Sequence, residues 1–154
     1  MDTISKKVFS LGHSLPAPAA PIANFVPTAL AGDLLYISGQ IGVANGTASH
    51  VGCLGAGMDV ETGYAAAQAA ALSVLSHIAA NTADSLAKVR RVLKLTIFVA
   101  STPEFSQHPQ VANGASDLFV SVFGEAGKHA RAAIGVASLP RGAAVEVEAV
   151  IQIA

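Results

Sequence analysis

A chain of 154 residues is long enough to bury a core in one domain without disulfide or metal staples. Hydrophobic residues make up 52% and charged ones only 12%, at a formal net charge of −1. This composition excludes a general electrostatic affinity for nucleic acid and points to apolar surface that another subunit covers. The lone cysteine, Cys53, excludes an intramolecular disulfide. No run approaches the ~20 apolar residues of a membrane span. With no leader-like segment after Lys6 and Lys7, the expected compartment is the cytoplasm.

Residues 14–28 (SLPAPAAPIANFVPT) carry too many prolines for a helix or central strand and read as an extended loop or edge strand. Gly32-Asp33 marks a turn, and Leu34 to Ser38 is a short β-branched and aromatic strand ending at Gly39. Val43 to Gly57, with Asn45-Gly46 and further glycines around Cys53, reads as a hairpin-like loop. Asp59 is placed to cap a helix running to about Ala80, with Val60, Tyr64, Ala67, Ala71, Leu75 and Ile78 inward and Ser73 and Ser76 outward. Lys88, Arg90, Arg91 and Lys94 then form a basic cluster, read as a solvated strand entry. Arg91 to Val99 is a strand apolar on both faces, with Val92, Lys94, Thr96 and Phe98 sharing one face. Thr102-Pro103-Glu104 breaks it, and a second helix is expected over about Gln107 to Phe123. Two last strands, Arg131 to Ala137 and Ala144 to Ile153, are joined through Leu139-Pro140-Arg141-Gly142. The order β–β–α–β–α–β–β predicts an α+β sheet in one domain, 1–154, with both helices on one face.

Read as a hairpin, the last two strands put Ala132, Ile134 and Val136 in the core and Arg131, Ala133 and Gly135 on the face of Glu146 and Glu148. A guanidinium beside two carboxylates, floored by Ala and Gly, leaves room for a ligand. Arg grips a carboxylate through two charge-assisted hydrogen bonds, and a nearby carboxylate can orient a water. The same pattern also describes a plain salt bridge across a sheet face. The five histidines, His13, His50, His77, His108 and His129, show no metal-ligand spacing, and no metal or cofactor is implied.

Three blocks resemble one family: residues 22–40 (IANFVPTALAGDLLYISGQ), residues 89–105 (VRRVLKLTIFVASTPEF) and residues 131–149 (RAAIGVASLPRGAAVEVEA). Together they are similar to the Rid/YjgF enamine/imine deaminases, also labelled L-PSP endoribonucleases. The resemblance implies a chorismate-mutase-like fold and a homotrimer with a ligand cleft at each subunit boundary. It also implies Arg131 as the holder of a substrate carboxylate and Glu146 as the group that places water. Phe25, Ser38 and Ala133 are expected to join them around a small carboxylate metabolite, with Glu148 added by the strand pattern and neither a metal nor a cofactor required. Asn113 roughly matches a family position near the cleft and reads equally well as helix surface. Phe25 stands where active members commonly have Tyr, Ala133 where many have Cys, and Ala23-Asn24 where Gly-Pro is usual; loop 43–58 is longer than the common form. Three functions follow as expectations. The first is hydrolytic deamination of 2-imino acids, and the second is non-catalytic binding of 2-keto acids, favoured by the polar groups lost at Phe25 and Ala133. The third, ribonuclease activity, lacks a basic groove and a histidine pair.

Overall fold

The computed structural model describes residues 2–154. A short helix α1 (Ile4–Ser10), capped by Thr3, buries Ile4 and Val8. This element is additional to the two expected helices. The proline-rich stretch after it is irregular, and the first strand, β1 (Thr28–Ala31), begins at its end. It pairs antiparallel with β2 (Leu34–Ile41) through the turn at Gly32-Asp33. Segment 43–58 is more structured than a loop. It holds the small hairpin β3 (Val43–Ala44) and β4 (Thr47–Ala48), then the short parallel pair β5 (Cys53–Leu54) and β6 (Gly57–Met58).

Helix α2 (Val60–Asn81) starts where Asp59 accepts a hydrogen bond from the Thr62 amide at 2.8 Å. It is buried around more of its circumference than a simple amphipathic stripe allows. Ser73 and Ser76, expected outward, are buried because their hydroxyls donate to the carbonyls of Ile41 and Ser73. Strand β7 (Val89–Ala100) runs along the sheet centre, α3 (His108–Phe123) returns across it, and β8 (Ala130–Val136) and β9 (Val145–Ile153) complete the sheet.

The sheet order is β1-β2-β9-β7-β8. β9 lies between β2 and β7, antiparallel to both, whereas β8 pairs parallel with β7. The expected C-terminal hairpin is therefore absent. A strand that follows a crossover helix lands parallel to the strand before it, so β7–α3–β8 forms one unit and residues 137–144 carry the chain over the end of β7. Both-face apolarity of β7 is the mark of that central position. Two register shifts in β7, between Val89 and Arg91 and between Val92 and Lys94, turn Val92 into the core rather than onto the face of Thr96 and Phe98.

Leu95, Ile97, Val99, Val147 and Ile151 form the buried sheet layer under α2 and α3, against Ala67, Leu75, Val111 and Phe119. The other sheet face is open: Tyr36 is 47% and Ile134 45% exposed. Ile134 thus points away from the core that strict hairpin alternation assigned to it. Parallel pairing with Phe98 puts it there.

The two long helices touch at Gly114, where an added Cβ would meet the backbone carbonyl of Tyr64. Alanine gains about 1 kcal/mol of helix propensity over glycine, but forcing a methyl against fixed backbone costs about 1–3 kcal/mol. Gly114→Ala should therefore lower the denaturation midpoint, by urea titration. An unchanged or raised midpoint would contradict this packing.

Candidate functional site

The polar residues singled out in the sequence lie in two clusters on opposite faces of the sheet. In the parallel register Arg131 lies beside Leu95, whose side chain faces the helices, while Glu148 and Glu146 lie beside Thr96 and Phe98 on the open face. Two strand spacings, roughly 10 Å, separate β8 from β9 only through β7. Arg131 consequently shares no face with either glutamate of its own chain, contrary to the hairpin reading.

The first cluster lies where β8 meets α3. Arg131 donates through Nη1 to Asn113 Oδ1 at 2.8 Å and to Ser116 Oγ at 3.1 Å. Asn113 and Ser116 are three residues apart and so occupy one side of α3. Ser116 Oγ is also 2.9 Å from His129 Nε2, and His129 Nδ1 is 2.6 Å from the Gly127 carbonyl. Burial first, then the Arg131 charge, holds the imidazole below its usual range, against the opposing pull of Gly127. Ala133, half-buried, follows on the same side of β8. At Gly135 a side chain is excluded by His108 Nε2 and Ser101 Oγ, which flank a cleft of about 540 Å³. Ser116 and His129 were not among the candidates. The signal for them is spacing: one lies a helical turn beyond Asn113, the other two residues before Arg131.

The second cluster is built on the irregularity in β2, where the register with β9 shifts between Ile37 and Gln40. The bulge leaves Gly39 beneath the half-buried Glu146 carboxylate, and a Cβ there would strike Oε1. Ser38 donates through its hydroxyl to the Val26 carbonyl at 2.8 Å and through its amide to Pro27 at 2.9 Å, tying the segment of Phe25 to the sheet. Phe25, Ser38, Gly39, Arg141 and Glu146 line one cavity of about 400 Å³. Phe25 and Ser38 also border a larger depression of about 680 Å³ on the open face, with Tyr36, Thr96 and the exposed Glu148. Burial, and then the Glu148 carboxylate, push the Glu146 pKa up.

Among the described residues no three His, Cys, Asp or Glu side chains cluster as a metal site requires, and no helix is long and apolar enough to cross a membrane.

The model of the family described as "YjgF/chorismate mutase-like, putative endoribonuclease" matches residues 5–149. Protein TCP17 of Trypanosoma cruzi is 50% identical over 144 residues, 93% of this chain and 89% of that protein. A 2-iminobutanoate/2-iminopropanoate deaminase of Dermatophagoides farinae is 29% identical over 140 residues, 91% of this chain and 94% of its own. The crystal structure of Atu1372 from Agrobacterium tumefaciens superposes with a TM-score of 0.91 at 44% identity, covering 99% of this chain and 94% of that one. The chain belongs to the YjgF/chorismate-mutase-like family and has its α+β fold.

The electrostatics of Glu146 give a pH test. Its folded-state pKa is raised, so the folded chain holds this proton more tightly and loses stability as pH rises through that pKa. Glu146→Gln removes the cost of the buried charge. The variant should melt above the wild type at neutral pH, with the gap closing as pH falls through the upper carboxylate range. A gap independent of pH would contradict the assignment.

Proposed function

We propose that the chain hydrolyses 2-imino acids to 2-keto acids and ammonia, in a cleft formed where the Arg131 cluster of one copy meets the Glu146 cluster of another. The observation that carries this reading is the orientation of Arg131. Both Nη1 protons are engaged by Asn113 and Ser116, while the Nε–Nη2 edge has no acceptor among the described residues. That edge matches the two oxygens of a carboxylate. The deaminase named for a relative, at 29% identity over most of both chains, supports the same substrate class.

The chemistry asks little beyond positioning. A water oxygen bonds to the imine carbon as the C=N electron pair moves to nitrogen, which takes up a proton. The carbinolamine then loses ammonia as its C–N bond breaks and the C=O forms. One water is consumed and no redox step occurs. Glu146 is suited to take the water's proton and return it to the leaving nitrogen, since a carboxylate with a raised pKa is a better base near neutral pH. Assembly as a homotrimer would cover the open face around Tyr36, Phe98 and Val150, consistent with a chain only 12% charged. Phe25 and Ala133 favour a second reading, binding of 2-keto acids without turnover, because neither can hydrogen-bond a water.

The test is release of 2-oxobutanoate from 2-iminobutanoate generated in situ by an amino-acid oxidase. Wild type should accelerate it, and Arg131→Ala should lower kcat/KM by roughly a hundredfold or more, the cost of losing a charged hydrogen-bonding anchor. No acceleration with retained affinity for 2-oxobutanoate would leave the binding-only reading. No acceleration and no binding would overturn both.

A further inference from the structure

We infer that Ser116 and His129 are positioning residues that aim the Arg131 guanidinium, so that its Nε–Nη2 edge faces the substrate carboxylate. The inference rests on the carboxylate-binding reading of Arg131 and extends it to two residues that touch no substrate.

Hydrogen-bond chemistry fixes each role. The Gly127 carbonyl can only accept, so the imidazole nitrogen 2.6 Å from it, Nδ1, carries a proton. In the neutral ring Nε2 is then a lone pair, and the Ser116 hydroxyl 2.9 Å away must donate to it. With its proton committed, Ser116 Oγ presents lone pairs to Arg131 and accepts from Nη1 at 3.1 Å. The relay runs in one direction, from Arg131 to Ser116 to His129 to Gly127. Asn113 Oδ1 takes the second Nη1 proton and closes the fork. Desolvation and the nearby guanidinium both favour the neutral ring that the relay needs.

The anchor of the relay is rigid. Gly127 is buried, and a Cβ there would strike the Phe119 carbonyl, so the 124–127 turn is clamped onto the end of α3. The Phe119 ring packs edge-on against the imidazole, with centroids 6.4 Å apart. A long, flexible arginine side chain carries much rotamer entropy. Holding one of its nitrogens before the ligand arrives reduces the ordering cost of binding.

The experiment measures affinity for 2-oxobutanoate and for its neutral amide by calorimetry, with melting temperature as a control on folding. Ser116→Ala and His129→Phe should each weaken 2-oxobutanoate binding about tenfold, the worth of one lost hydrogen bond to a charged group. Affinity for the amide should stay unchanged, and Ser116→Thr, which keeps the hydroxyl, should retain wild-type binding. Wild type that binds 2-oxobutanoate through Arg131, while S116A and H129F bind it equally well, would overturn the relay alone. Wild type that fails to bind it, or binding unaffected by Arg131→Ala, would overturn the carboxylate reading and the relay with it. Should His129→Phe fail to fold, nitrogen NMR of the wild-type ring decides. A proton on Nδ1 and a lone pair on Nε2 support the relay, and the opposite tautomer overturns it.

Discussion

Parallel pairing of β8 with β7 governs everything that the candidate site can do. It places Arg131 on the helix-covered side of the sheet edge and leaves Glu146 and Glu148 on the open side. Had β8 folded back against β9, a guanidinium and two carboxylates would share one surface, and their mutual attraction would compete with any ligand. Separation across the sheet prevents that. The guanidinium is neutralised by no carboxylate of its own cluster, and its partners there, Asn113 and Ser116, are neutral.

In the proposed cleft the two clusters would complement a 2-imino acid and water in different ways. At Arg131 a permanent charge is held by neutral acceptors, so its attraction for an anion is not spent inside the fold. At Glu146 burial and a like-charged neighbour favour the protonated carboxyl, which suits a group that must take and return a proton. The β2 bulge matters as much as the charge. Gly39 is the one residue type that lets the carboxylate settle against the strand, and Ser38 fastens the Phe25 segment beside it.

Much of this architecture is legible in the residues. Asp59 announces α2, the glycine at 124 ends α3, and apolarity on both faces of residues 91–99 marks a central strand. Less legible are features set by tertiary contact. The neighbour of β8 depends on the crossover through α3, which alternation within β8 does not encode. Val92 enters the core only because register shifts break the period of two. Ser73 and Ser76 are buried because each hydroxyl finds a backbone carbonyl, which a polarity pattern reads as an outward face. Helix α1 is short, and two lysines mask its two buried residues, Ile4 and Val8. For the site, the blocks of resemblance contain Arg131 and Glu146, and Asn113 lies outside them on α3. Ser116 and His129 carry only the spacing signal, and the side-chain contacts set by the β7–α3–β8 packing bring them to Arg131.

In the proposed cleft, one working site draws Arg131 from one copy of the chain and Glu146 from another. Mixing Arg131→Ala with Glu146→Gln subunits, after confirming that mixed oligomers form, tests it directly by the rate of 2-iminobutanoate hydrolysis. Each variant alone should be inactive, whereas a random equal mixture should recover roughly a quarter of the wild-type rate, the share of boundaries that pair an intact Arg131 with an intact Glu146. Mixed oligomers as inactive as their parents would contradict the account.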